Sequence, residues 1–235
     1  MRIAVVSDIH GNLTALEAVL ADLRETAPDL IFHGGDLVQG GVNSAGFVDR
    51  IRDLGWPGVV GNTDELMFRP ESLREFFGAA PISDVIEEMA AFEREALGAE
   101  RLEWLRGLPF HLVEGPMALL HASPESCWRG PMPEATDAEL EKVYEPLGRE
   151  VVVYGHVHRS FVRRVTGMTV ANAGSVSLSH DGDRRASYVL LDNLTPTIRR
   201  VEWDLDRELR SLAGCGLPHA DWVARMLRSG RPEMP

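Results

Sequence analysis

The chain is poor in cysteine: among 235 residues only Cys127 and Cys215 occur, far apart and outside any CxxC spacing. That excludes a disulfide framework and a thiolate zinc site, and it fits a reducing cytoplasm. Long apolar runs are also missing, because glycine, proline and charge interrupt every candidate well short of the roughly 18 consecutive apolar residues that a membrane span needs. The run Ile3 to Val6, directly after Met1-Arg2, is too short for a signal-peptide core, so a cytoplasmic protein with no membrane partner is expected. Positive charge is in deficit, with 24 Lys and Arg against 36 Asp and Glu and a formal net charge of −12. An extended nucleic-acid surface is therefore not expected, although a local cationic centre is still able to attract a phosphate.

Hydrophobic residues at 44% and charged residues at 26% are ordinary globular usage. The length suits a single domain, 1–235, carrying an insertion. Short apolar runs, each followed by a polar or glycine turn and a helix-period segment, give α/β wiring through the first half. Ile3 to Val6 reads as a buried strand, and Asn12 caps a helix with Leu13, Leu16, Val19, Leu20 and Leu23 on one face. Leu30 to Phe32 and Gly58 to Val60 read as further strands, with Phe47 to Leu54 helical between them. Residues from about 66 to 107 read as a helical insertion, with Ile82 to Leu97 and Leu102 to Leu105 at helical spacing. Strands follow at His111 to Val113, Met117 to His121 and Val151 to Tyr154. Antiparallel hairpins are expected from Phe161 to Val165, Met168 to Ala171, Ser187 to Leu191 and Thr197 to Trp203, and a terminal helix at about 218–228.

Five segments share one pattern, an apolar strand that stops and is followed at once by His, Asp or Asn in a loop. They are Asp8-Ile9-His10-Gly11, Gly35-Asp36, Gly61-Asn62-Thr63-Asp64, Leu120-His121-Ala122-Ser123 and Gly155-His156-Val157-His158. Each has an ordinary reading by itself: an Asp at a strand end caps or turns, Gly-Asp and Gly-Asn are turn dipeptides, and His121 fits a core. Two imidazoles two apart after an apolar strand have less packing rationale. Ligands in α/β sheets bind outside the carboxyl ends of strands, so the joint occurrence points to one crevice. Imidazole, carboxylate and amide donors without thiolates suit manganese, iron, zinc, nickel or cobalt rather than calcium. Asp8, His10, Asp36, Asn62, His121, His156 and His158 are too many ligands for one tetrahedral ion, which implies two, as in two-metal phosphoryl clamps.

This ordered set resembles the calcineurin-like metallophosphoesterase superfamily over Arg2 to about Leu191. Ser7-Asp8-Ile9-His10-Gly11-Asn12, Ala15-Leu16-Glu17, Asn172-Ala173-Gly174-Ser175-Val176 and Gly216-Leu217-Pro218 are similar to its compact prokaryotic phosphodiesterase branch. The resemblance implies a four-layer αββα sandwich, two mixed β-sheets flanked by helices. It places Asp8, His10 and His158 on a first metal, Asn62, His121 and His156 on a second, and Asp36 between them with a bridging hydroxide as nucleophile. Manganese is the first expectation for the pair, with iron, zinc, nickel or cobalt as alternatives. The implied activity is hydrolysis of a small phosphate ester or nucleotide, phosphodiesters above others. A phosphomonoesterase (protein phosphatase or nucleotidase) and a non-catalytic scaffold of the same fold are the alternatives, and the scaffold is disfavoured because all seven ligand positions are intact.

The resemblance casts Asp36, Asn62 and Asp64 as the catalytic set. Many members carry His after Gly-Asn to protonate the leaving group; here Thr63 stands there, and its hydroxyl is no acid near neutral pH. Asp64 would orient such a His, or else caps the following helix. Asn12, Thr63 and Arg129 are the candidates for contact with substrate, Asn12 with helix capping as its alternative and Arg129 with simple solvation. His33 reads as a packed or ligand-orienting group, His180 as exposed, and Asn172 with Ser175 as a turn near the metals.

Overall fold

In the computed structural model, which describes residues 1–235, the chain opens with β1 (Arg2–Val6), α1 (Leu13–Thr26), β2 (Leu30–His33) and α2 (Ser44–Leu54). Three helices follow, α3 (Asn62–Phe68), α4 (Glu71–Phe77) and α5 (Pro81–Arg106). Next come β3 (His111–Glu114), β4 (Met117–Leu120), α6 (Asp137–Tyr144), β5 (Val151–Tyr154), β6 (Phe161–Val165) and β7 (Met168–Asn172). The chain closes with β8 (Ala186–Asp192), β9 (Thr195–Val201), α7 (Leu205–Leu212) and α8 (Ala220–Ser229).

The strands form two mixed sheets, ordered β2-β1-β8-β9 and β3-β4-β5-β7-β6. Parallel pairs sit inside each, β1 with β2 and β4 with β5 with β7, and the remaining neighbours are antiparallel. Ile3, Val5 and Val189 of the first sheet meet Leu119, Val151 and Val153 of the second in one apolar cluster. Ala4 and Val6, on the opposite face of β1, pack instead with Leu16, Val19 and Leu20 of α1. Leu120 and Val152 face Leu140 and Tyr144 of α6 outside the second sheet. Helix, sheet, sheet and helix thus stack as four layers, and strands buried on both faces read as continuous apolar runs.

Asn12 caps α1 by accepting from Ala15 N at 2.9 Å, and Ala27, at φ 45°, ends it in the left-handed conformation. The segment Gly58 to Val60 departs from expectation, forming only an isolated bridge with His33. Pro57 precedes it, and Val60 N donates to Pro109 O at 2.9 Å, so the chain leaves the sheet edge before a ladder forms. The helical segment begins earlier than expected, at Asn62, and α5 breaks at Gly98 (φ 68°, ψ 170°), between the two helical runs seen in the sequence. α6 and α7 have no counterpart among the expected helices. No helix is long and apolar enough to cross a membrane.

Candidate metal centre

The carboxyl ends of β1, β2, β4 and β5 lie side by side and deliver Asp8 and His10, Asp36, His121, and His156 with His158. Asn62 enters from the first turn of α3. Five of these residues have left-handed backbone: Asp8 (φ 56°), His10 (50°), Asp36 (50°), His156 (68°) and His158 (54°). For residues with a Cβ this costs on the order of 1–3 kcal/mol each and persists where the surroundings over-determine it. Here backbone bonds between the loops impose it: Asp8 N donates to Gly35 O at 3.0 Å, and Ile9 N and His10 N both donate to Asp36 O, at 2.9 and 3.0 Å. Close approach adds to this, since a Cβ on Gly61 would overlap Asp36 N and Oδ1.

The donor atoms fall into two groups. In the first, His10 Nδ1 donates to Gln39 O (2.9 Å) and His158 Nδ1 to Leu178 O (2.5 Å), which leaves both Nε2 atoms free and aimed inward. Those Nε2 atoms are 3.2 Å apart, and His158 Nε2 lies 3.1 Å from Asp8 Oδ1. One donor atom each from Asp8, His10, Asp36 and His158 lie within 4.8 Å of one another. In the second group His121 Nδ1 donates to Gly34 O (2.8 Å), while its Nε2 faces Asn62 Oδ1 at 3.0 Å. His156 points its Nδ1 at the same oxygen, at 2.8 Å. Asp36 lies between the groups, with Oδ2 3.7 Å from His10 Nε2 and Oδ1 3.3 Å from His121 Nε2.

This donor set fits divalent cations. Two imidazoles whose Nδ1–H groups serve carbonyls bring lone pairs together at the 3.2 Å His10–His158 contact, and only a proton or a cation relieves that repulsion. The charge balance agrees. Burial opposes ionisation of His121, yet the Asp36 carboxylate beside it raises its pKa to about 10, and Asp8 raises that of His158 in the same way. Burial likewise opposes charge on Asp36 and Asp8, but His121 and His158 respectively hold these carboxyls below their usual range. The carboxylates therefore draw positive charge into the cluster, the charge that metal ions supply. Burial first, then neighbouring His121, lowers the pKa of His156 to about 4, so that imidazole stays neutral, the form in which it could hold a metal.

Other sequence candidates lie elsewhere or do other work. The Asn12 side chain accepts from Ala15 N and donates to Ser177 Oγ at 3.1 Å; it caps the helix and does not line the cavity at the cluster. Thr63 lines that cavity, but its hydroxyl donates to Val38 O (3.0 Å) and its amide to Asp36 Oδ1 (2.9 Å). Asp64 accepts from three amides, Leu37 N (2.9 Å), Val38 N (3.3 Å) and Gly61 N (3.0 Å). Burial, reinforced by Asp36, raises its pKa to about 7. It joins the loops that carry Asp36 and Asn62 and caps α3, and it does not line the cavity. Arg129 stacks over Phe76, its Cζ 5.4 Å from the ring centroid, and lines a separate groove. Trp128 takes the place at the cavity wall, because Glu65 accepts from its Nε1 at 2.5 Å and fixes the loop in that orientation.

His180 is half-buried rather than exposed, with its ring centroid 4.5 Å from that of His158. Neither ring nitrogen of His33 has a hydrogen-bond partner, so it orients no ligand and is a packed residue. Ser175 Oγ donates to Asp8 O (2.7 Å) and accepts from Leu178 N (2.8 Å), and Asn172 Nδ2 donates to Gly155 O (2.5 Å). Their turn thereby supports both Asp8 and the carbonyl that orients His158.

Glu93 is a positioning residue with no counterpart in the sequence reading. From α5 it accepts from Gln39 N (2.9 Å), Gly40 N (2.7 Å) and Ser44 Oγ (2.5 Å), securing the loop whose Gln39 carbonyl orients His10. Beside the cluster opens a cavity of about 310 Å³, reached by His10, Asp36, Asn62, His156 and His158 on one side and walled by helices on the other.

Fold and site together define an α/β protein of two mixed sheets with a buried Asp/His cluster that could hold metal. The family model of the calcineurin-like phosphoesterase superfamily domain matches residues 1–195, and the chain belongs to that superfamily. It is 31% identical over 254 aligned positions to an uncharacterised protein of Methanocaldococcus jannaschii, covering 97% of this chain and 98% of that one. Among solved structures it is similar to a metallophosphoesterase from Sphaerobacter thermophilus, with 27% identity, TM-score 0.80 and coverage of 98% and 99% of the two chains. A hypothetical protein from Pyrococcus horikoshii shares the fold at 21% identity and TM-score 0.83, over 99% of each chain.

Proposed function

We propose that this phosphoesterase hydrolyses phosphodiesters and works with two divalent ions per chain, manganese first among the candidates. The observation that carries the reading is the position of Asp36, one oxygen toward each group of donors (3.7 Å to His10 Nε2, 3.3 Å to His121 Nε2). Asp8, His10 and His158 would hold one ion, Asn62, His121 and His156 the other, and Asp36 both. Ions so held would supply a charge clamp for the phosphoryl oxygens and would acidify the attacking water.

The chain's own groups orient and exclude. Gln39, Gly34 and Leu178 carbonyls fix three imidazoles through Nδ1–H. Position 63 offers no acid, since the Thr63 proton is committed to Val38 O. Alkyl monoesters, dianionic and with a strongly basic leaving oxygen, are poorly served by such a site; losing a positioned acid typically costs about 10²–10⁴-fold for such groups.

Turnover of bis(p-nitrophenyl) phosphate against p-nitrophenyl phosphate, after reconstitution with Mn, Fe, Zn, Ni or Co, tests the proposal. The diester is expected to be preferred in kcat/KM with the best metal. Preference for the monoester with every metal overturns the diester assignment, and no turnover of either overturns the enzymatic one.

A further inference from the structure

The cavity beside the ligand cluster is two-faced. Opposite the imidazoles its wall is apolar, supplied by Leu73, Phe77 and Ile82 of the α4–α5 region and by Trp222, Val223 and Met226 of α8. Phe77 and Met234 are 39% and 72% exposed, and both lie on this cavity. Single exposed apolar residues need no explanation, but two around one opening, above a buried polar cluster, do. The segment 232–234 is secured as part of the wall, with Trp222 Nε1 donating to Glu233 O at 2.8 Å and Arg225 Nη2 to Met234 O at 3.1 Å.

Charge is distributed just as unevenly. No Lys or Arg lines the cavity, and the one acid away from the ligand cluster, Glu233, has no ion-pair partner. An additional phosphate on a substrate would find no cation beyond those at the cluster and one carboxylate facing it. A nucleobase seated against Leu73, Phe77 and Ile82 would find few partners for its donors and acceptors, since Gln39, His180 and Glu233 are the polar side chains that line the cavity away from the cluster, and polar atoms left unpaired in a buried site are penalised. The volume, about 310 Å³, is at the small end of the roughly 300–1,000 Å³ of small-molecule sites.

We propose that this apolar chamber receives the uncharged alkyl or aryl ester group of a singly charged phosphodiester, and so selects such diesters over nucleotides and pyrophosphate-linked substrates. The inference rests on the phosphodiesterase reading and adds the substrate class to it. The phosphoryl group sits at the cluster, one ester group packs between the Phe77 and Met226 walls, and Glu233 turns away a second anion.

Calorimetric affinities of the metal-loaded protein for dimethyl, dibutyl and diphenyl phosphate and for P1,P2-diphenyl pyrophosphate test this without turnover. Dibutyl and diphenyl phosphate should bind at least about tenfold more tightly than dimethyl phosphate, the scale of discrimination that a few buried carbons give. Phe77→Ala and, on the opposite wall, Met234→Ala should each shrink that ratio several-fold. Glu233→Gln should narrow the disadvantage of the pyrophosphate. Equal affinities across the three phosphates, or a ratio untouched by both alanine variants, overturns the chamber assignment while the phosphodiesterase reading stands. If no phosphate ester binds, that reading falls and this inference with it.

Discussion

On the strand side of the cavity the candidate metal-binding groups are positioned largely through backbone: Nδ1–H bonds to carbonyls hold His10, His121 and His158, and five left-handed residues and loop-to-loop amide bonds set the loops. On the helical side the wall is mainly apolar, lined by Leu73, Phe77, Trp222 and Met226. A change of side chain on the strand side therefore disturbs geometry that backbone strain has set, whereas the helical side tolerates exchange and changes only what fits. On the proposed reading, chemistry and selectivity would be separable in this fold because different parts of the chain carry them.

The largest break in that comparison is Asp36→Asn. Losing the residue that faces both groups should lower kcat by about 10³-fold and weaken metal retention at both sites, as removal of a central electrostatic group does. Metal analysis alongside kinetics checks it, and an active variant with normal metal content refutes the placement of Asp36.

Glu93→Ala crosses the boundary, since a helical residue supports a strand-side loop. Gln39 N, Gly40 N and Ser44 Oγ would lose their acceptor, at about 1–3 kcal/mol for a buried group left unpaired. Through the Gln39 carbonyl that orients His10, metal affinity or activity should fall about 10–100-fold. Thermal melts and metal titration measure the two effects, and a stability loss without any change at the first metal would assign Glu93 to packing alone.

A smaller effect concerns pH in the chelated, metal-free protein. Beside Asp36 the folded His121 pKa is raised from 6.5 to about 10, so its stabilising contribution is fully present below about 6.5 and is lost as pH rises through 10. The chelated protein should thus lose melting temperature between pH 7 and 10, and His121→Gln should flatten that slope. An unchanged slope in the variant would assign the pH dependence to other groups.

The smallest effect is expected from Thr63→His. Both oxygens of Asp64 are engaged by the amides of Leu37, Val38 and Gly61, so an added imidazole gains no orienting partner and monoester turnover should rise less than about tenfold, below the usual worth of a positioned acid. A larger rise, growing as the leaving group becomes more basic, would show that the loop rearranges to orient it.

The strand-side elements were legible in the sequence because each is a local pattern: an apolar run, then Asp, Asn or His at a glycine turn. Gly58 to Val60 looked the same, but its hydrogen bonds are decided by Pro57 and by distant Pro109. α6 did carry a local signal, the Thr136 and Glu139 capping box, and α7 another in Asp204, which caps it by accepting from Arg207 N. Both helices are only eight residues long, too short for periodicity to mark. Arg129 and Trp128 are neighbours in sequence, and only contact with Glu65 and Phe76 decides which one reaches the cavity. Glu93 was invisible for the same reason, its partners lying about fifty residues earlier. The chamber itself exists only where α4 and α5 meet α8, a convergence of segments remote in sequence.

Metal stoichiometry tests the central claim, that two donor groups meet on Asp36, most directly. Titration of the chelated protein with Mn, followed by calorimetry and elemental analysis, should give close to two ions per chain for the wild type and close to one for each of His10→Ala and His121→Ala. One ion in the wild type, or the same loss from both variants at a single site, would contradict it.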